Sequence, residues 1–195
     1  MIALILLLVA AIVWLAIYWE PDYQDPRGKT EMPAGGDFSL VSASGPVELK
    51  ALRGKVVVVF FGYTTCPDVC PTSLGVLSNA LSGLRDTELK RVQGLFISVD
   101  PERDTLEKLQ KYGRYFHPQI VGVTGTTGQV AAIAEMYGAA YRKSGQATKG
   151  ENYLMDHTAD LYVIDQDGRL HSRIRHGTPP GELLQQLRQL LARDG

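Results

Sequence analysis

Cysteine is nearly missing from this 195-residue chain, which has only Cys66 and Cys70. Two thiols so few and so close together cannot be a general staple for a domain of this length. Strong charge of either sign is missing too, the formal net charge being −1. There is no basic field to hold a nucleic acid, and Lys90-Arg91 reads as ordinary solvated surface. No internal repeat occurs, and no low-complexity segment beyond one Pro- and Gly-rich stretch near the start, so one compact domain of ordinary size is expected.

Charge is wholly absent from Met1 to Trp19, a run of Leu, Ile, Ala, Val and aromatic residues. As a helix it would span about 28 Å, close to the hydrocarbon thickness of a bilayer. Trp14, Tyr18 and Trp19 gather at its downstream end, where an aromatic belt would sit. The basic leader and small-residue cleavage site of a secretory signal are lacking, so an uncleaved membrane anchor is the expectation over a cleaved signal. No cysteine is present here to take a lipid anchor, and no Lys or Arg precedes the run. The simplest topology is a single-pass protein of a bacterial inner membrane with its domain facing the periplasm. Residues 1–19 are then the transmembrane anchor, 20–36 a flexible tether and 37–195 the folded domain. In such an oxidising compartment a dithiol must be kept reduced or be protected by metal.

Phe38 to Leu52 alternates briefly around Ser44-Gly45-Pro46, which predicts a β-hairpin at the domain entrance. Lys55 to Phe61 is a continuous β-branched and aromatic run, as a central strand covered on both faces requires. Pro71 to Leu84 reads as a helix, Val92 to Val99 as a strand, Asp104 to Phe116 as a helix and Ile120 to Val123 as a short strand. Another helix is expected from Thr127 to about Tyr137, a short strand over Ala139 to Tyr141, and a polar loop from Ser144 to Asn152. Thr158 to Ile164 and Arg169 to Ile174 flank Asp165-Gln166-Asp167-Gly168, a strong hairpin signal, and Pro180 to Ala192 closes the chain as an amphipathic helix. This order is that of an α/β thioredoxin-like fold, here with an N-terminal β-hairpin extension and an N-terminal transmembrane helix.

The two cysteines lie where the central strand runs into a helix, in Thr64-Thr65-Cys66-Pro67-Asp68-Val69-Cys70-Pro71. Pro71 suits the first helical position, which places Cys70 near the N-cap and Cys66 in the loop above. Unpaired amides and the helix dipole favour thiolates there. Thiolates are the nucleophiles of disulfide exchange and also soft ligands suited to Cu(I), so Cys66 and Cys70 can be a redox disulfide or two metal donors. Two buried thiols or a local structural disulfide are the blander alternatives. Three residues separate the cysteines where thioredoxin-type enzymes have two, and Tyr63 stands where a peroxidase would need threonine.

A metal needs further donors. His157, in Tyr153-Leu154-Met155-Asp156-His157-Thr158, is placed by such a fold opposite the cysteine loop, with Asp156 beside it to orient the imidazole. His117, His171 and His176 read as satisfied surface residues. Two cysteines and one histidine make three soft-leaning donors, which suits Cu(I) better than structural zinc with its four.

These stretches resemble the Sco/SenC family. The resemblance is carried by Phe61-Gly62-Tyr63-Thr64 leading into Cys66-Pro67-Asp68-Val69-Cys70-Pro71, by Phe96-Ile97-Ser98-Val99-Asp100-Pro101-Glu102-Arg103-Asp104-Thr105, by Val123-Thr124-Gly125-Thr126 and by Tyr153 to Thr158. The four motifs fall in family order across nearly the whole soluble domain. The resemblance implies a membrane-tethered, thioredoxin-like metallochaperone that binds copper, as Cu(I) with Cu(II) a second state, through Cys66, Cys70 and His157. It implies assistance to the dinuclear copper site of cytochrome c oxidase subunit II or another copper-site subunit, a copper-donor chaperone upstream, and reduction of the recipient's cysteines as a second activity. A membrane-anchored thiol–disulfide oxidoreductase, with Cys66 and Cys70 as its catalytic pair, and a copper or redox sensor are the alternatives. Asp100 to Asp104 is a family motif to which the sequence alone assigns only local roles: Asp100 ends a strand, Pro101 starts the turn, and Asp104 or Thr105 caps the next helix.

Overall fold

Ser39–Ser42 (β1) and Gly45–Glu48 (β2) form the expected entrance hairpin, followed by a 3-10 turn over Leu49–Leu52. These assignments come from a computed structural model, which describes residues 33–144 and 153–194. The expected membrane helix, most of the tether and most of the polar loop after Ser144 lie outside the described residues. Among the described residues no helix is long and apolar enough to cross a membrane.

Val56–Gly62 (β3) is buried at every position, as its unbroken apolar run demands. It leads into a helix over Val69–Ser82 (α1), a short helix over Asp86–Leu89 (α2) that sequence reading misses, and a strand over Val92–Ser98 (β4). Leu106–Phe116 (α3), Ile120–Val123 (β5) and Thr127–Met136 (α4) follow. Thr126 caps α4, accepting from the Gln129 amide while the Gln129 side chain accepts from the Thr126 amide. Thr126→Ala is expected to cost about 1 kcal/mol, measurable as a lowered denaturant midpoint at unchanged slope.

The chain then departs from expectation. Tyr141–Ser144 (β6) and Leu154–His157 (β7) pair antiparallel as a separate two-stranded ribbon. The expected strand at 139–141 is thus shifted to begin at Tyr141. The strand expected from Thr158 starts only at Leu161, as Leu161–Ile164 (β8), which hairpins into Leu170–Ile174 (β9). Thr158 is held instead by the ribbon, its amide donating to the Ala140 carbonyl at 2.8 Å. Gly168, at φ 79°, takes the left-handed turn position, and the Asp165 side chain accepts from the Arg169 amide at 2.8 Å. Pro180–Leu191 (α5) follows, and a 3-10 turn over Ala192–Asp194 comes after it.

The main sheet has the order β5-β4-β3-β8-β9, parallel among β5, β4 and β3 and antiparallel from β3 through β8 to β9. This is the thioredoxin-like arrangement. Neighbouring residues of β3 serve its opposite faces. Phe60 stacks with Phe96, and Phe96 meets Tyr112 of α3, whereas Phe61 lies against Tyr137 and Tyr162. The entrance hairpin is fixed to the sheet by reciprocal backbone bonds between Val41 and Thr124, at 2.8 and 2.9 Å.

Candidate metal centre

The buried strand β3 fixes Gly62 and Tyr63, so the loop that follows starts from a rigid point. The Cys66 amide donates to the Tyr63 carbonyl at 3.3 Å, and the Thr64 amide and hydroxyl donate to Asp104 at 3.0 and 2.5 Å. Helix α1 begins at Val69, two residues before the expected start, so Pro71 is the third helical residue rather than the first. It is tolerated there because the first turn leaves its amides unpartnered in any case. Cys70, in that same turn, uses its amide to donate to Cys66 Sγ at 3.4 Å.

His157 comes from β7 on the ribbon. Its Nε2 lies 3.2 Å from Cys70 Sγ and 3.9 Å from Cys66 Sγ. Its Nδ1 is 3.1 Å from the Thr158 carbonyl oxygen, which can only accept. Nδ1 therefore carries the proton, and the Nε2 lone pair faces the thiols. Phe60 and Tyr63 meet the imidazole edge-on, with centroids 5.9 and 5.8 Å away. The orienting role expected of Asp156 is not the one it plays: alternation along β7 turns its carboxylate outward, 3.1 Å from Arg142. A backbone carbonyl replaces it.

Both cysteines are free thiols, with Cys70 fully buried and Cys66 at 9% exposure. Hydrogen bonding from Cys70, with help from His157 and backbone amides, holds the Cys66 thiol far below its ordinary range. The Cys66 anion and burial push the Cys70 thiol far up. The pair thus shares one proton, with Cys66 the thiolate and Cys70 its donor.

The donor atoms of Cys66, Cys70 and His157 all lie within 4.8 Å of one another, and among the described residues no other group of three such side chains could hold a metal ion. A trigonal ion about 2.3 Å from sulfur and about 2.0 Å from nitrogen needs donor separations of about 3.7–4.0 Å. The cluster fits one soft ion with side-chain movements of well under an ångström to about one ångström. His176 is elsewhere, its Nδ1 3.0 Å from the Ser73 hydroxyl, and His117 Nδ1 accepts from the Gln119 amide.

Sequence reading missed the residues that hold this centre in place. Asp104 is buried and accepts from Thr64 and from the Ser98 hydroxyl at 2.7 Å, instead of capping α3. Thr105 is the cap, accepting from the Lys108 amide.

Comparison with known proteins places this geometry. The SCO1/SenC family model matches residues 26–192. The mitochondrial SCO2 homolog of Bos taurus is 37% identical over 176 residues, covering 83% of this chain and 66% of that protein. The chain thus spans a little under two thirds of the length of that relative. Copper-bound ScoI of Bradyrhizobium japonicum is 40% identical with a TM-score of 0.72, over 80% of this chain and 99% of that one. Apo Sco1 of Thermus thermophilus is 39% identical with a TM-score of 0.75, over 83% and 94%.

Proposed function

Because the chain belongs to the SCO1/SenC family, we propose that it is a copper metallochaperone whose cargo sits on Cys66, Cys70 and His157, and that it serves the copper site of a respiratory oxidase. The observation that carries this reading is the meeting of two unpaired thiols and one imidazole lone pair within 4.8 Å. Two sulfurs and one nitrogen favour Cu(I) over the harder divalent ions. Three donors also leave room for an incoming thiolate before any departing ligand has left, which suits delivery; a closed four-donor site would resist it. The recipient is the dinuclear copper site of cytochrome c oxidase subunit II or another copper-site subunit, supplied through a copper-donor chaperone.

The domain works on the far side of a bacterial inner membrane, held by residues 1–19 and a tether over 20–36. The uncharged apolar run of Met1 to Trp19 supports this. Reporters active on only one side of the membrane, fused after Gly195, check it; activity in the cytoplasm would overturn the orientation. The function is tested in a strain lacking this protein. Copper in the purified oxidase should fall at low external copper and recover when copper is added. Normal occupancy throughout would sink the chaperone role.

Proton release gives a second test. Cu(I) binding needs both thiolates, and the free site keeps one proton on Cys70, so the bound form has one proton fewer. Acid therefore opposes binding, and affinity should rise about tenfold per pH unit through the neutral range. Competition against a chelator at several pH values measures it, and a flat profile would contradict the shared proton.

A thiol–disulfide oxidoreductase is the second reading, favoured by the asymmetry of the pair. The partly accessible Cys66 thiolate can attack a recipient disulfide, and buried Cys70 then resolves the mixed disulfide, leaving Cys66–Cys70 oxidised and the recipient as two thiols. His157 separates the readings, because His157→Ala should impair copper binding and spare exchange. In the deletion strain, recovery with added reductant but not with copper would favour this second activity.

A further inference from the structure

The turn Asp100–Asp104 touches both halves of the metal centre, and the motif has no role in the chemistry above. Asp104 grips the cysteine side, accepting from Thr64 two residues before Cys66. The histidine side is gripped by Asp100 and Arg103. Asp100 is 2% exposed; its Oδ1 accepts from the Tyr153 hydroxyl at 2.6 Å, and its Oδ2 pairs with Arg103 Nε. Arg103 also donates to the Tyr153 carbonyl at 2.8 Å, and its guanidinium lies 3.7 Å from the Tyr153 ring centroid. Tyr153 directly precedes β7, the strand that ends in His157. Two further contacts reach the ribbon: Lys143 of β6 pairs with Glu102 at 2.8 Å, and the Met155 amide donates to the Tyr63 hydroxyl at 3.3 Å.

The ribbon needs such fixing. It has two strands of four residues and no place in the five-stranded sheet, and a two-stranded ribbon alone is marginal in water. A donor on a loosely held ribbon would miss the ion by more than the about 0.5 Å that binding sites tolerate. The buried carboxylate and the stacked guanidinium convert that ribbon into a fixed arm, because a planar, charged side chain both pairs and stacks.

We propose that Arg103, held by Asp100 and clamped on Tyr153, is a positioning residue that sets the distance between His157 and the two thiols, so that copper affinity depends on it through His157. This rests on the copper reading above. The same turn, through Asp104, supplies the fixed reference on the thiol side.

The test is a double-mutant cycle on the purified full-length chain, with Cu(I) affinity read by chelator competition. Arg103→Gln should weaken binding by about 10–100-fold, the range seen for groups that support a ligand from behind. In a His157→Ala background the same change should have less than about a twofold effect, because the donor it positions is gone. Tyr153→Phe keeps the ring and loses only the hydroxyl, so it serves if Arg103→Gln fails to fold, and it should show a smaller loss with the same background dependence. X-ray absorption should show the nitrogen donor lost or displaced in Arg103→Gln and both sulfurs retained. Equal losses in the two backgrounds would overturn the proposal in favour of a general effect on the fold or the thiols. No loss in either clamp variant would overturn it as well, while leaving the copper reading intact. Wild-type protein that retained no Cu(I) would instead bring down the copper reading and this inference together.

Discussion

Cys70→Ser is expected to abolish tight Cu(I) binding by the purified chain. Serine presents a hard oxygen where the ion needs a soft thiolate, and the remaining pair, Cys66 and His157, cannot enclose it. Cys66→Ser should do the same, and it removes in addition the more accessible sulfur of the pair. His157→Ala should fall between, losing more than the about 10–100-fold typical of a group behind a ligand yet less than either cysteine change. His117, His171 and His176 are the controls, since none joins the cluster, and alanine at each should leave affinity within about twofold, as expected of groups without coupling to the site. Chelator competition ranks all six variants. A His157→Ala protein with wild-type affinity would refute the three-donor set while leaving a two-thiol site standing.

Gly122→Ala should cause the largest loss of stability of any single methyl addition outside the site. Helix α3 crosses β5 at a pair of glycines, and a Cβ at Gly122 would lie 2.4 Å from the Leu109 carbonyl oxygen. At Gly113 it would lie 2.6 Å from the Ile120 carbonyl oxygen. These neighbours are backbone atoms that cannot swing aside as a long side chain can. Overpacking a core costs about 1–3 kcal/mol, and a backbone clash belongs at the upper end. At about 2–4 °C per kcal/mol for a domain of this size, Tm should drop by about 6–12 °C. Gly181→Ala is the matched control, because nothing lies within 4 Å of its added Cβ. Thermal unfolding followed by circular dichroism measures both, and a Gly122→Ala midpoint within about 2 °C of wild type would exclude so close a helix–strand approach.

The main sheet is legible in the sequence because its strands are apolar on both faces. The run at β3 and the turn residues before Gly168 each leave a pattern that survives without any tertiary knowledge. The ribbon leaves none. Leu154 and Met155 are both apolar though only Met155 is buried, and Asp156 and His157 are both polar, so the sequence of β7 shows no apolar–polar alternation, and its pairing with Tyr141–Ser144 depends on contacts far apart in the chain. Cys66, Cys70 and His157 could be singled out as candidate donors because thiols are scarce and the thioredoxin-like element order sets the loop of His157 opposite the cysteine loop. The supports behind them could not be. Whether an aspartate caps a helix or turns inward to hold Thr64 is settled by packing, and Asp104 and Thr105 look equally able to cap. Asp156 and the Thr158 carbonyl exchange roles for a similar reason: strand alternation decides which of them faces the imidazole.

The pairing of β3 with β8 has a kinetic consequence. The strand that delivers the cysteine loop sits between β4, which follows soon after it, and β8, which comes from the other end of the domain: Val57 lies beside Ile164. Contacts this distant in sequence must close a long loop before they return any energy, and they slow folding accordingly. Without β8 the central strand has a bare edge. His157 precedes β8 by only a few residues, so the imidazole arrives with the strand that covers the open edge of β3. Copper that met the chain earlier would find two sulfurs and no nitrogen. The full three-donor set therefore depends on the same long-range closure that seats β8 beside β3, and a chain slow to make that closure leaves its two thiols without their imidazole for as long.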